Sequence, residues 1–331
     1  MNILILLVSV WDYSYGVDMD FSYDSNIFSY SEEYINDFMN QVKPYRFPFE
    51  TYDDLISNAQ LNFLLRNKFF NKKTTTFDLN IEINHYLNNQ QKDFQNIGAG
   101  VRQSFGKYAF KISYHVIPQY LIRYYRNPQG TSTDYIGCDV RHQLLSGKIS
   151  FIPTSILTLN ILYGHGWDDY VSNFDLYDAH YHILDVNSVF ALGKRIACFL
   201  GYEFKTLQND STSISTNSVE STPEGSYYQH SLGGYITLAA KFLLPIQLKI
   251  AYDFDLRDYS TTSYTDSLHF GRQDYVNKFN TDAEFKVFTG MMIGFSYAMQ
   301  WRDATSNIAL DISRIKDYNK YKFGARIAFY Y

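Results

Sequence analysis

The sequence predicts an all-β protein, a closed antiparallel transmembrane β-barrel of about 14 strands. Three observations predict it. Apolar and polar residues alternate with period two along much of the chain, the period that places successive side chains on opposite faces of a sheet. The connections between these segments alternate short and long. The 331 residues include 31 Tyr and 26 Phe but only 7 Pro, and aromatic residues favour strands and membrane boundaries. No stretch reaches the roughly 18 consecutive apolar residues of a membrane-spanning helix. A mean hydropathy of −0.28 still suits a membrane, because only every second residue of a barrel strand faces lipid.

Ile3 to Val10 is an apolar run, yet Met1-Asn2 offers no positive start and Trp11-Asp12 no small-residue cleavage site. Residues 1–12 are therefore read as a signal remnant or a lead-in to the barrel; an incomplete chain start would look the same. Residues 13–331 are read as a single barrel domain.

The first strand, 13–24, sets Tyr15, Val17, Met19, Phe21 and Tyr23 against Gly16, Asp18, Asp20, Ser22 and Asp24. Strands follow at 56–70 and 74–87, where Phe77, Leu79, Ile81 and Ile83 face away from Asp78, Asn80, Glu82 and Asn84. The next are 94–106, 107–123, 133–151, 155–167, 179–192, 194–206 and 228–241, of which 94–106, 133–151 and 179–192 alternate weakly. Residues 133–151 are where fourteen could become twelve or sixteen. The clearest strand is 245–257: Ile246, Leu248, Ile250, Tyr252, Phe254 and Leu256 share one face, and Gln247, Lys249, Asp253, Asp255 and Arg257 the other. A helix would spread these charges around its whole circumference. Strands at 273–287, 290–303 and 319–331 complete the set.

Tight turns are expected at Asn71-Lys72-Lys73, Gly106-Lys107, Pro153-Thr154, Gly193-Lys194, Leu244-Pro245 and Thr289-Gly290. Between them lie longer connections at 25–55, 88–93, 124–132, 168–178, 207–227, 258–272 and 304–318. Short periplasmic turns and longer extracellular loops are the rhythm of outer-membrane barrels, whereas a soluble sandwich has no reason to keep it. An even count returns both termini to the periplasmic side. Closure follows because hydrocarbon leaves no partner for an open sheet edge, so the first strand should pair with the last. Within 25–55, residues Ser29 to Asn40 suit a short helix, and a loop of this length either folds inward as a constriction or reaches out to partners.

The last strand, Tyr321-Lys-Phe-Gly-Ala-Arg-Ile-Ala-Phe-Tyr-Tyr331, resembles the C-terminal assembly signal of bacterial outer-membrane proteins. That resemblance implies recognition by the barrel-assembly machinery. Tyr23-Asp24-Ser25-Asn26 and Gln300-Trp301-Arg302-Asp303 resemble the barrel domain of surface lipoprotein assembly modifiers and related export barrels, which are also 14-stranded. Those proteins carry an upstream periplasmic helical-repeat domain that this sequence does not contain, so the resemblance implies a periplasmic partner or an upstream domain. Outer-membrane lipid and lipopolysaccharide are the surrounding partners expected.

The polar face would place Asp18, Asp20, Asp78, Glu82, Arg102, Lys111, Lys249, Asp253, Asp255, Lys278, Asp282, Glu284, Lys286, Arg302, Lys322 and Arg326 in the lumen as pore-lining residues. Keeping so many charges dry is prohibitive, so they need water or one another. The expected function is a pore or export conduit with a hydrated lumen of mixed sign. The alternatives are a plugged barrel that displays its loops as receptor or adhesin, and an outer-membrane enzyme. The enzyme reading rests on Gly164-His165-Gly166-Trp167-Asp168-Asp169 with His180 and His182, where imidazoles and carboxylates flanking one loop could ligate a metal or act as base and orienter. No serine elbow or HExxH spacing accompanies them, and His and Trp are ordinary at a membrane boundary, so no catalytic residue, metal or cofactor is assigned. A net charge of −5 without a basic block argues against nucleic acid. Cys138 and Cys198 fall in different strands; a disulfide between them stays open, but they make no metal or redox motif.

Overall fold

In the computed structural model, which describes residues 11–69, 73–211, 223–241, 243–308 and 311–331, the strands form a closed antiparallel barrel. They are β1 (Asp12–Asp24), β2 (Asp54–Phe69), β3 (Lys73–Tyr86), β4 (Phe94–Phe105), β5 (Tyr108–Arg126), β6 (Tyr135–Thr154), β7 (Leu157–Tyr170), β8 (Ala179–Leu192), β9 (Ile196–Asn209), β10 (Tyr227–Lys241), β11 (Pro245–Tyr259), β12 (Arg272–Phe288), β13 (Met291–Ser306) and β14 (Tyr318–Tyr330). Each pairs with its neighbours in sequence, and β14 returns to pair with β1. Residues 1–10 of the expected signal remnant or lead-in, most of the turn at 71–73 and the middle of loop 207–227 lie outside the described residues, while Asp12 already begins β1.

Residues 133–151 are a single strand, so the count stays at fourteen. Their weak alternation has a physical cause. Toward the long-loop end, Leu121 and Tyr125 of β5 and Cys138 and Val140 of β6 turn apolar side chains to the buried inner face, which erases the apolar-out, polar-in contrast. The ladder also shifts register between Ile117 and Tyr120 and between Leu121 and Arg123. Pro118, which cannot donate to a ladder, sits in the first of these irregularities. Two expected turns move slightly. β6 runs through Pro153 to Thr154 across a third irregularity, in its ladder with β7, so the turn is at 155–156, and Pro245 is the first residue of β11. A proline is tolerated at such strand starts and bulges. At Gly290 a positive φ of 86° closes the β12–β13 turn, and a side chain there would meet the Tyr330 carbonyl.

The outer surface is apolar. Phe21, Leu61, Leu79, Ile112, Ile161, Leu200, Ile236, Ile250, Phe295 and Phe323 are all exposed on it. In water this would be an untenable patch; it is the belt a membrane requires. Inside, Asp18 fastens the closing seam. It is buried, opposite Ala328, and its Oδ1 accepts from Arg326 Nη2 at 2.6 Å and from the Tyr330 hydroxyl at 3.2 Å. Arg326 also reaches Glu284 Oε1 at 3.2 Å, tying β1, β14 and β12 together. Arg326→Met should therefore cost on the order of 1–3 kcal/mol. The check is a lower temperature for the gel-mobility transition of the detergent-extracted barrel.

Candidate functional site: a plugged and charged lumen

The connection from β1 to β2 turns inward. Asp24 Oδ1 accepts the Asn26 amide, and the Asn26 side chain brackets Tyr30, donating to its carbonyl at 2.8 Å and accepting its amide at 2.9 Å. Through these bonds the Tyr23–Asn26 motif redirects the chain into the barrel mouth. Ser31 then caps helix α1 (Glu32–Met39), its Oγ accepting the Tyr34 amide, and two acidic residues in the first turn suit the helix dipole. The helix expected within 29–40 is therefore present.

The loop packs as a plug. Phe28, Tyr30, Tyr34 and Phe47 are buried against Ile56, Tyr86, Leu121, Leu268 and Ala304, and against Ile312 and Ile315 of the short helix α2 (Ile312–Lys316). Phe28 and Phe49 pack with ring centroids 4.4 Å apart, tilted by 32°. Two buried cations clamp the plug to the barrel. Arg123 Nη2 donates to the carbonyls of Phe28 and Ser29 at 2.6 and 2.9 Å. Lys92 Nζ donates to those of Leu121 and Ile122 at 2.7 and 3.2 Å and lies over the rings of Phe28 and Tyr120. Two further apolar clusters fill the same end, one around Tyr181, Leu207 and Tyr259, the other around Tyr125, Cys138 and Phe174. Cys138 and Cys198 are both free thiols.

Burial, with Arg123 nearby, lowers the Lys92 ammonium from its ordinary 10.5 to about 7. Between those two values Lys92 carries a proton when the plug is undocked that it lacks when the plug is docked over it, so docking strengthens as pH rises through that window and is weakest below 7. Limited proteolysis of 25–53 should accordingly be slower at pH 9 than at pH 6. Lys92→Met should remove the difference.

Beneath the plug, all sixteen expected lumenal residues fall on the inward-facing positions of their strands. Several are paired: Lys111 with Asp78 at 3.0 Å, Lys278 with Asp255 at 2.8 Å, and Arg326 with Asp18 and Glu284. Glu82 accepts from Asn58 at 2.7 Å, and Lys249 lies over the Tyr235 ring. Two regions of the lumen are nevertheless dominated by one sign. Arg66, Arg102, Lys111 and Lys148 line a cavity of about 470 Å³ that holds one carboxylate, Asp78. Across the lumen Asp185, Glu203, Asp253 and Asp255 line a pocket of about 280 Å³ with one cation, Lys278. Arg66, Lys148, Asp185 and Glu203 were missed in the sequence because they stand on strands whose alternation is weak or broken by apolar residues on the inner face. The register finds them: Arg102 faces Lys111, which faces Lys148.

The histidine cluster divides. His165, His180 and His182 point outward, with His165 and His182 nitrogens 3.3 Å apart and His180 on Asp210. Tyr163 and Trp167 flank them on that outer surface. Asp168 points inward and binds His142 at 2.6 Å, and His142 in turn meets the Tyr181 hydroxyl. The wall of the barrel thus separates the three imidazoles from Asp168, whereas Asp169 lies on their side of it and accepts from Gln143 at 3.0 Å. Among the described residues no group of three or more His, Cys, Asp or Glu is placed to hold a metal ion. Sequence spacing suggested proximity but overlooked parity: 165 and 168 differ by an odd number, so they lie on opposite faces.

No protein-family model and no curated protein matches the chain. Solved structures do. A loop-deleted form of OmpT, an outer membrane protein of Vibrio cholerae, aligns with a TM-score of 0.51 at 8% identity, covering 97% of this chain and all of that one. The outer membrane channel DcaP of Acinetobacter baumannii aligns with a TM-score of 0.50 at 10% identity, covering 97% of each chain. At such identities the likeness is one of fold: the closed barrel of outer-membrane proteins.

Proposed function

We propose that this chain is an integral pore of the bacterial outer membrane, closed in the present state by the plug of residues 25–53, with both termini in the periplasm. The observation that carries the reading is the lumen itself. Opposed basic and acidic walls, only partly paired, are intelligible where water fills the space between them and costly anywhere else. The long connections gather at the plugged end, which in outer-membrane barrels is the extracellular one. DcaP, similar in fold, is a channel, in keeping with this role. The apolar belt would contact outer-membrane lipid and lipopolysaccharide, and the strand ending at Tyr331 would be read by the barrel-assembly machinery.

Ion conductance in planar bilayers tests the reading. Lys111→Glu/Lys148→Glu should shift the permeability ratio toward cations by about tenfold, since fields in a low-dielectric cleft concentrate counter-ions on that scale. His165→Ala/His182→Ala should leave conductance unaltered, because both side chains point outward. A barrel that never conducts, even without its plug, would instead support the second reading, a sealed scaffold displaying its loops. The completeness of the packing around Phe28 and Tyr30 favours that alternative.

A further inference from the structure

Three arginines surround one carboxylate at the inner edge of the plug. Glu224, from the β9–β10 connection, lies 3.8 Å from Arg257 Nη1, 3.7 Å from Arg272 Nη2 and 3.9 Å from Arg302 Nη1. A charge-assisted hydrogen bond would be about 2.7–2.9 Å long, and Glu224 Oε2 is buried without a hydrogen-bond partner. The carboxylate sits in the cage without being bonded by it.

The cage does not depend on Glu224 for its shape. Arg272 Nε donates to Asp274 at 2.7 Å, Arg257 Nε and Nη2 to Gln229 at 3.1 and 3.0 Å, and Arg302 Nε to the Lys316 carbonyl at 2.7 Å. Tyr259, Tyr227 and Tyr318 lie beneath the three guanidiniums at 4.3, 4.2 and 4.7 Å. Each arginine is thus oriented by other neighbours, with donors left over. Among the described residues, the carboxylates within 4 Å of these three guanidiniums are Glu224 and Asp274, two against three. Arg302 also lines a cleft of about 700 Å³ on the loop side, while Gln229 lines the lumenal pocket. The cage is the partition between the two.

We propose that Arg257, Arg272 and Arg302 form a binding site for the carboxylate of a small solute, and that Glu224 is an internal stand-in which the solute displaces. Guanidinium pairs are suited to carboxylates through paired donors, and the group already in the cage is a carboxylate. The idea rests on the pore reading only in its consequence, that a solute entering the lumen would meet this site. Binding is separable from conduction.

The experiment is calorimetric titration of the detergent-solubilised full chain with succinate, and with inorganic phosphate as a second probe. Glu224→Gln, which leaves the cage but discharges its occupant, should bind succinate about tenfold more tightly than the parent, as expected when a competing internal state is removed. Glu224→Asp gives an intermediate comparison should the amide variant fail to show the gel-mobility transition of a folded barrel. Arg302→Met in the Glu224→Gln background should abolish binding. Equal affinities for parent and Glu224 variants, no succinate binding by either, or tighter binding of phosphate than of succinate would overturn the proposal. A barrel that binds succinate yet never conducts would refute the pore and leave the site standing; a conducting barrel that ignores succinate would do the reverse.

Discussion

Excising residues 28–51, with a short Gly-Ser linker joining Ile27 to Tyr52, is expected to turn a quiet barrel into one with clear single-channel steps. The ends are suited to the join, since the Ile27 amide already donates to the Tyr52 carbonyl at 2.9 Å. The deletion removes Phe28, Tyr30, Tyr34, Phe38, Phe47 and Phe49, and with them helix α1 and most of the apolar mass that blocks the mouth. No strand is touched, and the β1–β14 ladder from Gly16↔Tyr330 to Asp24↔Lys322 remains. The folded barrel should therefore persist, with the same heat-dependent gel shift. Arg123 and Lys92, which lose plug contacts, would then face water and can be solvated there. A lumen of fourteen strands is wider than the eight-stranded barrels that side chains fill. A truncated barrel that stays folded and silent would rule out a plug-gated pore.

Phe28→Ala should release the plug without removing it. Phe28 is 2% exposed and is enclosed by Phe49, Tyr30 and Tyr124, with the Lys92 ammonium over its ring at 4.8 Å. Truncating a buried phenylalanine costs about 3–5 kcal/mol. At about 1.4 kcal/mol per factor of ten, the undocked population should rise by roughly two to three and a half orders of magnitude. Phe28 lies outside every strand, so the cost falls on loop docking and spares the barrel. The expected signature is frequent brief openings in a bilayer, together with faster cleavage of 25–53 and an unchanged gel-shift temperature. If the gel-shift temperature fell while cleavage stayed slow, the plug would be integral to the barrel's own stability and could not serve as a gate.

Strand parity was legible from the residues alone. Asp18, Asp20, Asp253 and Asp255 could be placed inside by alternation with Met19, Phe254 and their neighbours, and each lies on the inward face. A short helix within 29–40 could be read from the residues, while its cap at Ser31 was seen only in the structure. Legibility failed where the inner face was itself apolar. Around Leu121, Tyr125, Cys138 and Tyr181 the barrel interior is filled by apolar packing rather than lumen, against the plug at Leu121 and in two further clusters elsewhere, and the two faces of the strand no longer differ in polarity. It also failed for the histidines, where nearness along the chain suggested a site that the sheet divides.

Sequence by itself determined the architecture of this protein, because a two-residue period and the lengths of connections are local properties that any segment displays without reference to the rest. It pointed to about fourteen strands, to their closure and to sixteen inward charges, while the structure fixed the count by making residues 133–151 one strand. Only the tertiary structure decided what occupies the mouth and how the charges are sorted. Phe28 meets Leu121 and Ile315, and Glu224 meets Arg257, Arg272 and Arg302, across separations along the chain that no local pattern encodes. The segregation of basic from acidic walls arises the same way, from the order in which strands pair around the ring, since each strand alone presents only a few charges and no indication of what stands opposite.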